Sequence, residues 1–272
     1  MLQAPRSSLA MYLIDLQSQG RITFTRDEAI AALGVSEGAF LKAAGRLQQR
    51  RMLVNPRHGF YVVVPPQFNA WGAPPPSWYI DALMRDRPYY VGLLQASALH
   101  GAAHQAVMEC QVVTDRQLRK LRAGRSWLTF HVRMDIEAVR EGIVDYKTVS
   151  GTMKVSSPEL TVLDLLRYAH AVGGLNAIAR CLNDLGETVQ GAKLAALAVH
   201  FDRTHVQRLG YLLEYLGHTG PARALHRRLA DMTPLPWVAL EPPSRHHPRM
   251  VTPLERSERW RVLVERYPEV DQ

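Results

Sequence analysis

Few side chains in this 272-residue chain are spaced in a way that could support metal binding. His246 and His247 are adjacent, but they lie in a proline- and arginine-rich stretch with no cysteine nearby. His100 and His104 are four residues apart, yet Gly101 stands where an HExxH helix has its glutamate. We therefore predict structural roles for these histidines and no bound metal ion.

The carboxylates give no stronger candidate for an active site. Asp164 and Arg167 lie three residues apart on a predicted helix, a spacing that favours a local ion pair over a catalytic carboxylate. The sequence contains no P-loop, GxGxxG or HExxH motif. We therefore predict that the protein is not an enzyme and that it requires no cofactor.

Basic residues are more informative than the potential catalytic groups. The formal net charge is +8 and the sequence pI is about 9.7. Residues 1–70 contribute half of the excess, with eight basic and four acidic side chains. Such a balance suits a polyanionic partner, although many soluble proteins are mildly basic without binding nucleic acid.

One dense basic cluster lies farther along the chain. Five cations occur within ten positions between two predicted strands: Arg116, Arg119, Lys120, Arg122 and Arg125. Two interpretations remain open for this cluster. It is either the solvated face of a loop or a second polyanion-facing patch that contacts DNA flanks, an RNA or a protein partner.

Apolar residues at helical spacing predict three short helices in the first 51 residues. Ser7 or Ser8 caps the first helix, and the second begins with the capping box formed by Thr25 and Glu28. Gly34 ends the second helix, and Ser36 caps the third. Two short helices joined by a glycine-containing turn are typical of a helix-turn-helix.

The third predicted helix has two different faces. Its buried stripe contains Phe40 and Leu47, and its opposite face carries Gly38, Lys42, Gly45, Arg46 and Gln49. Each glycine costs about 1 kcal/mol of helix stability relative to alanine, which suits a backbone that closely approaches a major groove. We predict that Ser36 and Lys42 lie near the groove and that Arg46 and Gln49 contact bases or phosphates. A solvated helix face is the alternative.

A predicted hairpin follows the three helices. Residues 52–54 and 60–64 form its strands, and residues 55–59 form a turn that carries Arg57 and His58. The order helix, helix, helix and hairpin is that of a winged helix. We expect Arg57 and His58 to reach the minor groove or the phosphates.

Five prolines between Pro65 and Ser77 predict a semi-rigid linker. The fold class is thus α+β: a winged helix-turn-helix in residues 1–64, a linker in 65–77 and a mixed α/β domain in 78–272. In the C-terminal domain we predict a helix over Tyr89–Gly101, strands within residues 108–155 and mainly helices from 158 to about 229. Cys110 and Cys181 lack metal-site spacing, and we predict that both are reduced and buried.

Three blocks of the C-terminal domain resemble a known family. Residues 89–101 (YYVGLLQASALHG), 157–166 (SPELTVLDLL) and 208–214 (RLGYLLE) look like the characteristic blocks of AbiEi-type antitoxins. They occur in the order found in that family and behind its winged-helix module. The AbiE abortive-infection system is a type IV toxin–antitoxin system used in phage defence.

The resemblance implies two activities. The N-terminal domain would bind inverted repeats in its own promoter and repress transcription, and the C-terminal domain would counteract a cognate nucleotidyltransferase-like toxin. Stable contact between toxin and antitoxin is not required, so direct binding stays open, as do the operator sequence and the oligomeric state. We hypothesise that the basic cluster contributes more to antitoxic function than to operator choice.

Two other functions remain as alternatives. The protein could be a stand-alone winged-helix regulator whose larger domain senses a ligand or mediates assembly, or a nucleic-acid-processing enzyme targeted by a winged helix. We expect a cytoplasmic location and no membrane partner. The sequence has no stretch of about 20 apolar residues and no secretory signal.

Overall fold

The computed structural model describes residues 8–102, 109–230, 234–241 and 252–270. Predictions for His104, His246 and His247 fall outside these residues. The described chain is a mixed α+β protein, as predicted, and it divides into two units. The first takes in the described residues of 1–90, 108–134 and 145–154, and the second takes in those of 91–107, 135–144 and 155–272.

The first unit begins with three helices and a three-stranded antiparallel sheet. In chain order these are α1 (Leu9–Ser18), β1 (Thr23–Thr25), α2 (Arg26–Leu33), α3 (Glu37–Gln49), β2 (Leu53–Arg57) and β3 (Phe60–Val63). The strands lie in the order β1-β3-β2. The short strand β1 pairs with β3 and was not predicted.

The hairpin turn between β2 and β3 is tighter than predicted. Strand β2 runs to Arg57, which leaves His58 and Gly59 as the turn. The pairing is irregular between Val54 and Arg57, where Pro56 interrupts the ladder. The amide of Asn55 donates to the carbonyl oxygens of Arg57 (2.8 Å) and Phe60 (2.7 Å), and these bonds replace part of the missing ladder.

The segment predicted to be a linker contains two short 3₁₀ turns, Pro66–Phe68 and Pro76–Trp78, and α4 (Ile80–Met84) follows. A six-stranded mixed sheet comes next, most of which belongs to the first unit. Its strands are β4 (Tyr89–Val91), β5 (Glu109–Thr114), β6 (Leu121–Ala123), β7 (Ser126–Val132), β8 (Ile143–Thr148) and β9 (Gly151–Ser156), in the order β6-β7-β5-β4-β9-β8.

The long helix predicted over Tyr89–Gly101 is wrong in its first part. Tyr89–Val91 forms β4, and only α5 (Leu93–Leu99) is helical. Leu93 has a φ of 55°, a left-handed conformation that separates the strand from the helix. A fully buried strand and a buried helix give the same continuous apolar run, so periodicity could not distinguish them.

Helices dominate the second unit, as predicted for this part of the chain. They are α6 (Pro158–Arg167), α7 (Gly174–Leu185), α8 (Gly191–Ala198), α9 (Arg203–Tyr215) and α10 (Thr219–Ala230). All residues from Glu159 to Leu166 are buried, so α6 is the central helix, with α5, α7, α8 and α9 packed around it. A small sheet of β10 (Val238–Ala239), β11 (Glu255–Ser257) and β12 (Val262–Val264) completes the unit. No helix in the described ranges is long and apolar enough to span a membrane.

Candidate nucleic-acid interface

Local capping fixes the positions of α2 and α3. The Thr25 hydroxyl accepts from the Glu28 amide, and the Glu28 carboxylate accepts from the Thr25 amide, which completes the predicted capping box. Gly34 ends α2 with a left-handed φ of 62°. The Ser36 hydroxyl then caps α3 by accepting from the Ala39 amide at 3.3 Å. Ser36 therefore has a structural role whether or not it also meets DNA.

Residues 34–38 read Gly-Val-Ser-Glu-Gly, which matches the GxSxG pattern of a hydrolase nucleophile elbow. That elbow places its serine between a strand and a helix, whereas Ser36 lies between α2 and α3. The neighbouring Glu37 pairs with Arg26 at 2.6 Å. The structural context of a nucleophile elbow is thus not met.

Aromatic packing holds one face of α3 against the sheet. Phe40 meets Tyr61 edge to face with centroids 5.3 Å apart, and Tyr61 stacks on Phe24 at 5.4 Å. Tyr12 of α1 meets the other side of Phe24 at 5.5 Å. Because Phe40 and Leu47 are buried, the opposite face of α3 must point away from the core.

That outward face carries the predicted groove-facing residues. Lys42, Arg46 and Gln49 are all exposed. Among the described residues, no acidic side chain forms an ion pair with Lys42 or Arg46. Two cations one helical turn apart are therefore available to an external polyanion.

The glycines of α3 have no internal function that the structure reveals. A Cβ added to Gly38 or Gly45 would meet no atom of the described ranges within 4 Å, and neither residue has a positive φ. Packing and backbone conformation therefore do not require glycine at either position. This result is what a close approach by an external surface predicts, although the structure contains no such surface.

At the tip of the β2–β3 hairpin, Arg57 and His58 are exposed. The Arg57 guanidinium lies 5.8 Å from the centre of the Phe60 ring. Partial burial and the positive charge of Arg87 lower the pKa of Arg57 from its ordinary value, and Asp86 opposes this. Arg87 is thus a further cation near the hairpin that the sequence patterns did not identify.

The basic cluster of residues 116–125 is more ordered than a solvated loop. Strand β6 pairs antiparallel with β7 within it. The Lys120 ammonium lies 4.7 Å from the Trp127 ring and pairs with Glu109, and the Arg122 guanidinium lies 5.4 Å from the same ring. Stacking on an aromatic face orients a cation without neutralising it, whereas the Glu109 carboxylate offsets the charge of Lys120.

Trp71 holds a third cation of this cluster. The Arg125 guanidinium lies 5.5 Å from the Trp71 ring, and the Arg125 amide donates to the Trp71 carbonyl at 2.9 Å. Arg116 lies 3.6 Å from the Asp115 carboxylate, and Arg119 is exposed. Neither tryptophan was predicted as a partner of the cluster, because Trp71 is distant from it in the chain and Trp127 was interpreted only as part of a strand.

The structure brings the basic cluster and the hairpin into one packed body. Strand β2, whose end carries Arg57, packs against β6, which carries Arg122. Both strands belong to the first unit. More than sixty residues separate them in the chain, so this proximity was not predictable from spacing.

In the second unit, the polar residues of the sequence blocks mainly satisfy buried groups. Ser157 caps α6 by accepting from the Leu160 amide, and Glu159 accepts from Ser157 Oγ (2.8 Å) and the Gln190 amide (2.9 Å). His100 Nε2 contacts the Ser156 carbonyl at 2.7 Å, which agrees with the predicted structural role. Asp164 is fully buried.

The third block, residues 208–214, and the residue before it form hydrogen bonds with Trp260. Gln207, one residue before the block, donates to the carbonyl oxygens of Trp260 (2.8 Å) and Pro236 (2.9 Å). Within the block, Glu214 accepts from the Trp260 indole and from Arg259, while Arg208 donates to the Ala239 carbonyl at 2.8 Å. Within the described ranges, no three His, Cys, Asp or Glu side chains converge on a potential metal site.

Comparisons with known proteins give one family match and a similar solved structure. A family model described as AbiEi antitoxin C-terminal domain matches residues 90–215. The chain is also similar to the crystal structure of the RV2827C protein from Mycobacterium tuberculosis, at 15% identity and a TM-score of 0.67 over 96% of this chain and 94% of that one. At this identity the likeness concerns the fold alone, and no curated protein matches the chain. Residues 90–215 hold all but the first residue of the three blocks, so this match confirms the resemblance to AbiEi-type antitoxins seen in the sequence.

Proposed function

We propose that the protein is an antitoxin that also represses its own operon. In this proposal α2, α3 and the β2–β3 hairpin act as a winged helix-turn-helix that binds double-stranded operator DNA. The observation that carries it is the exposed pair Lys42 and Arg46, presented by a helix whose other face is held by Phe40 and Tyr61. The AbiEi domain in residues 90–215 supports the antitoxin role.

Each predicted contact has a distinct part in DNA binding. The N-terminal half of α3, with Ser36 and Lys42, enters the major groove, and Arg46 and Gln49 contact bases or the adjoining phosphates. Arg57 and His58 at the hairpin tip contact the minor groove or phosphates. Two copies bound to inverted repeats would occupy half-sites one or more helical turns apart.

The basic cluster of residues 116–125 acts as a second polyanion-facing patch. Because β6 packs against β2, its cations lie in the same packed unit as the hairpin. Contacts to phosphates would add affinity for any DNA sequence without selecting the operator. In this proposal α3 selects the operator, and the basic cluster adds affinity for any DNA sequence. The hypothesis that the cluster also contributes to antitoxicity is compatible with these separate roles.

The C-terminal domain, residues 78–272, would counteract a nucleotidyltransferase-like toxin without performing catalysis itself. The proposal leaves open whether the two proteins touch, and it places the antitoxin in the cytoplasm with its operator. Co-expression with the neighbouring toxin-like gene tests this part. Rescued growth supports antitoxicity, and continued growth arrest at matched expression contradicts it.

Binding to the chain's own upstream region tests the regulatory part. We expect affinity to fall steeply with salt, with a slope of about 0.9 per phosphate contacted. Lys42→Ala or Arg46→Ala should cost about 1–3 kcal/mol if the side chain reads a base. Lys193→Ala is the matched control, because Lys193 is an exposed lysine on α8. No salt-sensitive binding by the unmodified chain would contradict the proposal.

A second candidate function is that of a regulator whose second unit senses a small molecule. A pocket of about 210 Å³ favours it; the pocket is lined by Leu166, Ala169, His170, Gly174, Leu175, Ile178, Arg208, Leu240 and Glu241. Operator binding that persists while the chain fails to rescue cells from the toxin would favour this candidate over the antitoxin.

A further inference from the structure

Strand β8 forms one edge of the six-stranded sheet, with β9 as its neighbour on the other side. Residues 144–147 of this strand are all exposed, including the apolar side chains of Val144 (39%) and Tyr146 (36%). An edge strand presents unpaired backbone N–H and C=O groups that can template another strand. The open edge of β8 is thus a candidate docking surface for another strand. The register of β8 against β9 determines which of its backbone groups are free to pair with that strand.

Two contacts fix the register of β8 against β9. A two-residue turn, Val149–Ser150, joins the strands, and Lys154 Nζ lies 2.6 Å from Asp145 Oδ1 across them. At the other end, the Ser157 amide donates to the Gly142 carbonyl at 2.7 Å. Both contacts fit a single antiparallel alignment, in which Asp145 lies opposite Lys154 and Gly142 lies opposite Ser157.

This alignment decides which backbone groups face the open edge. In an antiparallel pair, residues alternate between those bonded to the neighbour and those turned away from it. Because Gly142 is bonded toward the β9 side, residues 144, 146 and 148 also direct their backbone groups there. The backbone groups of Asp145 and Lys147 consequently point outward.

We propose that β8 pairs antiparallel with β8 of a second copy of this chain, around a two-fold axis that passes through Tyr146. In this register the outward-facing Asp145 lies opposite Lys147 of the second copy, and Lys147 lies opposite its Asp145. Sliding the strands by two residues in either direction would instead place Asp145 opposite Asp145 or Lys147 opposite Lys147. Charge complementarity therefore selects a single self-pairing register.

The apolar residues of β8 suit the same arrangement. Tyr146 and Val144 share a face with Met153 of β9, which is 2% exposed. Beyond β8 this face ends, and both side chains remain partly exposed to solvent. In the paired sheet the two Tyr146 rings lie across the axis from each other, and Val144 lies opposite Thr148 of the second copy, so each apolar residue gains a neighbour.

Strand pairing alone buries less than the roughly 1,200–2,000 Å² of a standard stable interface, so the self-association is weak and concentration-dependent. This self-association through β8 goes beyond the proposed function and does not depend on DNA. The full chain can therefore be tested alone, and failure of this inference would leave the DNA-binding proposal untouched.

Cysteine cross-linking tests the register directly. Tyr146 would form a non-hydrogen-bonded pair with itself, with Cα atoms about 4.5 Å apart, a separation that a disulfide can span. Under mild oxidation we expect Tyr146→Cys to give a cross-linked dimer at several times the level of the unmodified chain. The native Cys110 and Cys181 are both buried and should contribute little background.

Two further cysteine variants serve as controls. Val144→Cys and Thr148→Cys should not cross-link alone, because each lies about four residues along the strand from its own copy. A mixture of the two should cross-link, since these positions oppose each other. Equal cross-linking at all three positions, or none above background, would overturn the proposal.

Charge reversal supplies a test without cysteine. Asp145→Lys and Lys147→Asp should each lose self-association in sedimentation experiments, because each places like charges opposite each other. Mixing the two variants should restore association to near the original level, since the charges are then complementary in both pairs. A mixture that stays monomeric, while both variants retain the circular dichroism of the unmodified chain, would overturn the proposal.

Discussion

The ring of Phe40 in α3 meets the ring of Tyr61 in β3 edge to face, with centroids 5.3 Å apart and planes at 83°. Phe40 is 1% exposed, and Tyr61 is fixed in turn by stacking on Phe24. This contact sets the rotation of α3 about its own axis. The direction in which Lys42 and Arg46 point therefore depends on a buried aromatic pair.

Replacing Phe40 with alanine should lower the free energy of unfolding by about 3–5 kcal/mol, because it removes a buried ring and leaves a cavity. Urea denaturation of the full chain measures this loss. Leu41→Ala is the control, since Leu41 is 46% exposed on the same helix and should change stability by less than about 0.5 kcal/mol. Equal effects of the two substitutions would contradict the burial of Phe40 between α3 and the sheet.

The glycines of α3 allow stability and DNA binding to be separated. Gly38→Ala and Gly45→Ala should each stabilise the helix by about 0.5–1 kcal/mol, because a Cβ at either position meets none of the described residues. If α3 lies closely in a groove, the same substitutions should weaken operator binding. Thermal unfolding and fluorescence anisotropy measure the two effects.

A glycine of the second unit provides the control for Gly38 and Gly45. Gly220 of α10 also has open space where a Cβ would lie and lacks a positive φ, so Gly220→Ala should leave operator binding unchanged. Stabilised Gly38→Ala and Gly45→Ala variants that bind operator as well as the Gly220→Ala variant would show that no close approach occurs.

Elements defined by neighbours in the chain were predictable from the sequence. The Thr25–Glu28 capping box, the Gly34 helix end and the Ser36 cap all depend on residues within four positions of each other, and each is present. Interactions across the sheet were not predictable. Tyr89–Val91 was predicted as helix because its neighbours in the sheet, β5 and β9, lie about twenty and sixty residues away in the chain.

In the candidate interface, too, features set by neighbours in the chain were predictable and contacts between distant residues were not. The helical period is enough to place Lys42 and Arg46 on the outward face of α3. The tryptophan partners of the basic cluster are contributed by distant or opposing residues, such as Trp71 beside Arg125. A count of charges reveals that a cluster exists, but only the fold reveals that aromatic rings orient its cations.

The basic cluster should affect affinity without affecting sequence preference. Replacing Arg116, Arg119, Lys120, Arg122 and Arg125 together with serine should weaken binding to all DNA sequences alike. The salt slope should fall by about 0.9 for each phosphate that is no longer neutralised, because fewer counterions are released. Binding to operator and to unrelated DNA across a salt series measures both quantities.

The same five-serine variant tests the link with antitoxicity. We expect weaker rescue of cells that express the toxin, whereas Lys42→Ala should retain rescue at matched expression. Rescue by the five-serine variant at the level of the unmodified chain would remove the antitoxic role of the cluster. An altered ratio of operator to unrelated DNA binding would instead assign the cluster to base recognition.

Two half-buried histidines should make the fold sensitive to mild acid. Burial lowers the pKa of His205 below its ordinary 6.5, with Asp202 opposing the shift, and burial lowers the pKa of His131 in the same way. The unfolded chain therefore takes up protons near pH 6.5 that the folded chain accepts only at lower pH. The free energy of unfolding should consequently fall as the pH decreases from about 7 through this window.

Substitution assigns that pH dependence to a residue. His205→Gln cannot take up a proton, so its urea midpoint should decline less steeply than that of the unmodified chain between about pH 7 and 5. His170→Gln is the control, because His170 is exposed. Parallel pH profiles for the unmodified chain and His205→Gln would exclude His205 as a source of the acid sensitivity.

Gly210 explains why one sequence block has a glycine inside a helix. A Cβ at this position would lie 2.0 Å from the Trp260 ring, which is itself 1% exposed. Gly210→Ala should therefore destabilise the chain by about 1–3 kcal/mol or more, because the buried ring has no room to move. Trp260→Leu shortens the side chain that causes the clash, so adding Gly210→Ala to Trp260→Leu should cost less than it does in the unmodified chain. Urea denaturation of the four proteins gives the coupling free energy. Additive effects would mean that the ring and the glycine backbone are not in contact, and the structural reason for this glycine would then lie elsewhere.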